Sequence, residues 1–350
     1  MGPSERMKAA TYERYGAPEV IDITEVAKPD VGVGELLIRV RFTCVNSADA
    51  RMRSLRVPTG FRALMRLALG VFTPRQPVLG TELAGVVEAL GRGVTRFRLG
   101  DEVYADTGMQ LGAHAEYKVM SGDKALAHKP ETIGLGEAAA IPFGGTTALG
   151  FLRKAAVVRG EKVLINGASG AVGCAAVQLA KHFGAHVVAV CSGANAALVS
   201  SLGADEVVDY GRQDFTALPG GYDVIMDNVG NAPWSRTRHV LNPGGRLLCV
   251  VATLPQMLGA LLPKRQGKKV ICGMVTADAA MLSVLSELVD AGHYRPVIDR
   301  TYSLEDIAEA HAYCDTGRKK GSVLIEVSEA SLVDCRPCPS GVMVTADGLP

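Results

Sequence analysis

No stretch of the 350-residue sequence approaches 18 uninterrupted apolar residues, so no membrane-spanning helix is expected. Charge of one sign is also scarce: 37 Lys and Arg stand against 36 Asp and Glu, a formal net charge of +1. So balanced a chain offers no global attraction to nucleic acid or to an anionic membrane surface. Clustered cysteines are few. Cys44, Cys174, Cys191, Cys249, Cys272 and Cys314 stand singly and far apart, most of them inside apolar runs. That pattern reads as buried thiols of a reducing compartment, not as a disulfide framework. The opening MGPSERMKAATYERYG has no apolar segment of a secretory signal, and Pro3 and Arg6 fit a myristoylation signal poorly. A cytoplasmic protein with neither nucleic acid nor membrane as partner is therefore expected. The 40 glycines follow no collagen period and no internal repeat occurs, which leaves turns and close backbone approaches as their use.

What is present points to two domains, the usual division for this length, and 48% apolar residues supply a sizeable core. Up to about residue 130 the chain reads as short strands between Gly, Pro and Asp: KAATYE, ELLIRVRFTCV, GTELAGVVEAL and AHAEYKVM. Such spacing predicts a barrel or sandwich. One segment, 59–72, instead places Phe61, Leu64, Met65, Leu67 and Ala68 at helical spacing among arginines. It reads as a packed surface helix or as a flap over a substrate pocket. Six apolar runs follow (KVLIN, HVVAVC, EVVDY, YDVIMDNV, RLLCVV and KVICGM), several separated by helical segments, which implies a parallel sheet covered on both faces. Beyond them come an amphipathic helix at 278–291 and a strand–helix–strand unit with Ser303 and Asp306 as a helix-start box. Residues 328–350 show no period and read as a loosely ordered tail; its Cys335-x-x-Cys338 has the spacing of half a zinc site but no second pair.

The strongest chemical signal is VLINGASGAVGCAAVQLAKHFGAHVVAVCS. A strand runs into Gly167, Gly170 and Gly173, then a helix, then a second strand. Glycines let the backbone turn sharply and approach a pyrophosphate. Ser169, Gly170, Ala171 and Val172 then present free N–H groups at the helix start. The triad sits inside a complete strand–helix–strand unit, the context that gives it weight. Specificity for the second phosphate lies at the end of the second strand, where an acid would bond the ribose 2′-hydroxyl of NAD. Here Ser192 stands there, with Asn195 and Tyr210 as further phosphate partners, and no Arg or Lys occurs in 191–205. NADPH is expected, with NADH the less favoured cofactor.

Several motifs together resemble the medium-chain dehydrogenase/reductase superfamily: GTELAGVVEALG at 80–91, FRLGDEV at 97–103, GASGAVG at 167–173, LGADEVVDY at 202–210, DNVG at 227–230 and NPGGRL at 242–247. The resemblance implies an α/β chain built from a GroES-like β-barrel catalytic domain and a Rossmann doubly wound parallel sheet. Its expected bounds are 1–143 for the first part of the catalytic domain, 144–276 for the nucleotide-binding domain and 277–327 for the return. In the zinc alcohol dehydrogenases of this superfamily, a Cys begins a C-x-x-D motif and a His stands in G-H-E. Here those positions read Asn46-Ser47-Ala48-Asp49 and Gly80-Thr81-Glu82, and YADTGMQLG, where a four-cysteine lobe would fall, has no cysteine. An amide and a hydroxyl are weak replacements for imidazole and thiolate, so no metal is expected. Glu82 becomes a relic of the ligand set or a partner of a nearby arginine. The chain resembles the zinc-independent branch, similar to quinone oxidoreductases and enoyl reductases.

Without a Lewis acid a simple ketone is hard to reduce, whereas a quinone or α,β-unsaturated carbonyl spreads the arriving charge. The resemblance places Asn46 and Asp49 in the cleft, Asn46 facing the nicotinamide or the substrate carbonyl. It places Thr147, Asn228, Val251 and Lys320 beside the cofactor. Where several quinone reductases carry a Tyr, this chain has Arg51, a fixed cation that with Arg53 could orient an anionic or carbonyl substrate, unless both are simply solvated. His114, in a strand, reads as a satisfied structural histidine. The expected function is hydride transfer from NADPH to a small quinone or enone, in a homodimer of the kind common in this family. The rivals are a pathway-specific reductase of enoyl thioesters or natural-product double bonds, and a non-catalytic NADPH-binding protein.

Overall fold

The computed structural model describes residues 5–327, so the tail and its Cys335 and Cys338 lie outside the described residues. The chain opens with an antiparallel pair, β1 (Arg6–Tyr12) and β2 (Ile21–Ala27). Next come β3 (Glu35–Val45), α1 (Ser47–Ser54), α2 (Arg62–Leu69), β4 (Glu82–Leu90), β5 (Glu102–Asp106), β6 (Tyr117–Ser121) and β7 (Leu126–His128). Helices α3 (Leu135–Ala139) and α4 (Thr147–Ala155) lead to β8 (Lys162–Asn166), α5 (Ala171–His182), β9 (His186–Cys191), α6 (Ala196–Ser201) and β10 (Glu206–Asp209). Then follow β11 (Tyr222–Asp227), α7 (Trp234–Thr237), β12 (Leu241–Cys249), α8 (Leu254–Ala260) and β13 (Lys269–Cys272). The described chain closes with α9 (Ala279–Asp290), β14 (Ile298–Ser303), α10 (Ile307–Asp315) and β15 (Ser322–Glu326).

The six apolar runs read from the sequence are β8 to β13, and they form one fully parallel sheet in the order β10-β9-β8-β11-β12-β13. Their centres read as continuous apolar runs because helices cover both faces: Val163, Leu164 and Ile165 are fully buried. The chain order reverses between β8 and β11, which opens a crevice at the strands' C-terminal ends. Helix α5 turns Ala175, Ala176, Leu179 and Ala180 inward, and its small side chains let it lie close to the sheet. Truncating the fully buried Leu179 to Ala would cost about 2–5 kcal/mol.

The remaining strands form a second, seven-stranded sheet that runs β14-β15-β3-β4-β5-β7, with β6 branching onto β3. This is the GroES-like half of the fold, its strand path running from β14 to β7. The β15 strand returns the chain beside β3, and Gly321 just before it donates its N–H to the Ser169 carbonyl at 2.9 Å. The catalytic sheet is thereby pinned to the glycine loop. One apolar cluster spans both sheets, from Cys44, Ala84 and Tyr104 to Val163, Leu179 and Leu285.

The helix expected within 59–72 is α2, shorter at Arg62–Leu69; α1 before it ends at Leu55 in a left-handed conformation (φ 50°), and Pro58 and Gly60 lie between the two. One local reading changes. His114 lies in a loop ahead of β6, not in a strand.

Candidate active site and cofactor cleft

The site is built outward from the start of α1. Asn46 is its N-cap: the side-chain oxygen accepts from the N–H of Ala48 (2.9 Å) and Asp49 (3.2 Å), while Asp49 accepts from the Asn46 N–H (3.0 Å). The amide nitrogen of Asn46 points across to the start of β4, donating to Thr81 Oγ1 at 2.7 Å and to Glu82 Oε1 at 3.1 Å. The other Glu82 oxygen accepts from the Phe143 N–H at 2.8 Å. Glu82 is therefore held by an amide and a backbone N–H, not by an arginine. Asn46 itself is 2% exposed, with both its amide donors directed inward to Thr81 and Glu82. Asp49 is fully buried beneath it.

Burial dominates the electrostatics of this knot. It pushes the Glu82 carboxyl up to about 8, against the pull of the Phe143 N–H and the Asn46 amide. It pushes Asp49 up to about 7, against hydrogen bonds from the Asn46 and Gly80 backbone and from Thr81. His114 is buried, with Nε2 3.2 Å from the Cys44 carbonyl, and desolvation lowers it to about 4, so it stays neutral. Its structural reading fits that geometry. Sequence reasoning gave no notice of its neighbour His311, whose buried ring packs edge-on at 5.7 Å.

The donor set does not fit a zinc ion. It offers one carboxylate already satisfied by two donors, an amide whose oxygen caps a helix, and a hydroxyl. Among the described residues no three His, Cys, Asp or Glu side chains gather as metal ligands would.

The two arginines part company. Arg53 is fully buried and bonds Asp315 at the end of α10, a structural tie and not a solvated or substrate-facing group. Arg51 is half-buried, burial lowers its pKa, and it has no acceptor among the described residues. It is a partly desolvated cation without a partner, near Cys314.

The glycine loop has the tightness a dinucleotide cradle needs. A Cβ on Gly173 would stand 2.1 Å from the Gly167 carbonyl oxygen, and Gly167 itself holds φ at +74°. Ser169, Gly170 and Ala171 are partly open at the start of α5, while Val172 is buried. Asn195 donates to Ser169 Oγ at 2.9 Å, which joins the end of β9 to the loop. These residues fit a bound dinucleotide. Ser192 sits partly exposed beside them and Tyr210 is 67% exposed. Sequence reasoning missed two charges here. The carboxylate of Asp209, at the end of β10, would touch a Cβ on Gly193, and Arg212 reaches to 3.6 Å from it. The pairing of β10 with β9 brings them in, which no local spacing reveals.

On the other wall, Asp227 accepts from the N–H groups of Val229, Gly230 and Ala232 and so shapes the loop carrying Asn228. Gly230 abuts Val251, and Thr147 stands partly open at the start of α4. Lys319 Nζ donates to the Gly321 carbonyl and its charge is felt by Cys44, Cys174 and Cys314. Lys320 is exposed, and its backbone N–H is held by Asp299.

Residues 32–165 match the family described as alcohol dehydrogenase GroES-like domain, and residues 202–325 the one described as zinc-binding dehydrogenase. The chain is 35% identical to 2-methylene-furan-3-one reductase of Solanum lycopersicum over 92% of this chain and 79% of that one. It is 33% identical to the chloroplastic quinone-oxidoreductase QR1 of Triphysaria versicolor over 91% and 98%. It is 30% identical to the chloroplastic NADPH-dependent alkenal/one oxidoreductase of Arabidopsis thaliana over 92% and 80%. Among solved structures, the quinone oxidoreductase of Coxiella burnetii superposes with a TM-score of 0.83 at 28% identity, covering 93% of this chain and 100% of that one.

Proposed function

The chain belongs to the medium-chain dehydrogenase/reductase superfamily, in its quinone-oxidoreductase-like group, and is an NAD(P)H-dependent oxidoreductase; from that premise we propose that it transfers hydride from NADPH, without zinc, to a quinone or an α,β-unsaturated carbonyl. The carrying observation is the contrast between a tight glycine loop and a former metal position where the Asn46 amide bonds both Thr81 and Glu82 and the Phe143 N–H takes the other Glu82 oxygen. The cofactor supplies the hydride. The chain's own residues hold it: N–H groups of Ser169 to Val172 take the pyrophosphate, and Ser192, Asn195, Tyr210 and Arg212 take the 2′-phosphate. Thr147, Asn228, Val251, Lys319 and Lys320 flank the far end. Ser192 in place of an acid favours the extra phosphate, and Arg212 offsets the Asp209 carboxylate.

Asn46 and Asp49 act as positioning residues. They fix the first turn of α1, which carries Arg51. Arg51 is the fixed cation set against the enolate or hydroquinone oxygen, and its partial desolvation strengthens that attraction. A homodimer forms through the edge strand β13 and the exposed Leu258, Leu261 and Leu262 of the preceding segment, and light scattering measures its mass. The exposed apolar face of α2, with Leu64 58% and Leu67 62% exposed, supports acceptors with an apolar tail, enoyl thioesters among them.

The test is NADPH oxidation with 1,2-naphthoquinone, a 2-enal, an enone, an enoyl thioester and a saturated ketone. Turnover of the conjugated acceptors and none of the ketone is expected. Zinc-dependent turnover of the ketone or of a simple secondary alcohol would overturn the proposal.

A further inference from the structure

Cys249 and Cys272 are 23 positions apart in sequence and directly opposite in space: they are register partners at the C-terminal ends of the neighbouring parallel strands β12 and β13. Direct partners project to the same sheet face, and both pack on the cluster that holds Leu247 and Val208. Adjacent strands lie about 4.8 Å apart, inside the Cα separation of about 4.4–6.8 Å that a disulfide spans. Their exposure differs, Cys249 being 3% exposed and Cys272 half-buried. Their thiols also divide the roles. A hydrogen bond from Cys249 holds Cys272 below the ordinary thiol range, and the same contact with burial pushes Cys249 up. Cys44, Cys174, Cys191 and Cys314 are all pushed up by burial, so among the described residues Cys272 alone has a depressed thiol.

The pair has mechanical consequences. After Cys272 the chain gives the Met274 carbonyl to Lys154 Nζ at 2.9 Å and packs Val275 against Gly150, both in α4. After Cys249 it reaches Val251, which abuts Gly230. Both exits thus brace the crevice at the strand ends.

We propose that Cys249 and Cys272 form a peroxide-sensitive dithiol, Cys272 attacking and Cys249 resolving, whose closure to an intrachain disulfide weakens dinucleotide binding. The Cys272 thiolate attacks one peroxide oxygen; the O–O bond breaks, hydroxide leaves and takes up a proton, and Cys272 becomes a sulfenic acid. The Cys249 sulfur then attacks it; the S–O bond breaks, the S–S bond forms, and the Cys249 proton leaves with the hydroxyl as a second water. Two thiols and one hydrogen peroxide become one disulfide and two waters.

The test treats the reduced full-length chain with hydrogen peroxide, removes the peroxide, and maps peptides by mass. NADPH binding is followed by fluorescence, so the readout stands apart from turnover of any acceptor. A bridge between Cys249 and Cys272 is expected, with a loss of about 2 Da and at least about a threefold weaker NADPH affinity that dithiothreitol restores. Cys249→Ser should stop at a sulfenic acid on Cys272 that dimedone traps, and Cys272→Ser, or Cys272→Ala should the serine variant not fold, should not respond. A bridge only between Cys335 and Cys338, a bridge between chains, or a mapped 249–272 bridge with unchanged affinity would overturn the proposal. If NADPH does not bind even when reduced, the cofactor assignment fails, and the mapped bridge still decides whether the dithiol exists.

Discussion

Replacing Asn46 by alanine separates an internal knot from a substrate-facing amide. The substitution removes the oxygen that caps α1 through Ala48 and Asp49, a loss of about 1 kcal/mol. It also leaves Glu82 Oε1, in a side chain 1% exposed, without the Asn46 donor, a further ~1–3 kcal/mol. Together these give about 2–4 kcal/mol, which at about 2 °C per kcal/mol for a chain of this size lowers the thermal midpoint by about 4–8 °C. Asn46→Asp adds a control. It keeps the cap but turns the donor into a second carboxylate facing Glu82, so its penalty should grow between pH 6 and pH 9 as protons leave the pair. Thermal melts of wild type and both variants across that range supply the data. A midpoint for Asn46→Ala within 1 °C of wild type, with kcat reduced tenfold, would refute the reasoning and return Asn46 to the substrate carbonyl.

Other outcomes follow from the same geometry. Burial holds the Glu82 carboxyl at about 8, above its unfolded value of about 4.3, so the folded chain keeps a proton that the unfolded chain releases. That contribution to stability is present below the unfolded value and is lost as pH rises toward and through about 8. The melting midpoint of Glu82→Gln minus that of wild type should therefore rise from pH 6 to pH 9, and a flat difference would count against the shifted carboxyl. Ser192→Asp places a carboxylate where the 2′-phosphate is proposed to sit. It should lower the ratio of kcat/KM for NADPH over NADH by about tenfold or more, about 1.4 kcal/mol, and an unchanged ratio would exclude Ser192 from that contact.

The nucleotide-binding half was legible because its signals are local. Apolar runs such as KVLIN and HVVAVC each form one strand, and a strand–glycine–helix order fixes the loop. The catalytic half was legible in kind but not in detail. Nothing in the residues around Asn46 says that its amide would be consumed by Thr81 and Glu82, 35 and 36 positions later. Arg53 and Asp315 are 262 positions apart, so a surface reading of that arginine was the natural error. Lys319 and Lys320 differ by one position, and only the folded chain shows that Lys319 Nζ turns back onto the Gly321 carbonyl while Lys320 is exposed. Cys249 and Cys272 looked isolated until the register of β12 on β13 put them side by side.

The most direct measurement of the central claim counts metal and turnover together. Purified full-length chain is analysed for zinc and assayed for NADPH oxidation with 1,2-naphthoquinone before and after dialysis against a chelator. The account predicts far less than one zinc per chain and an unchanged rate. One tightly held zinc per chain, lost together with turnover and restored with it on adding the ion back, would contradict it.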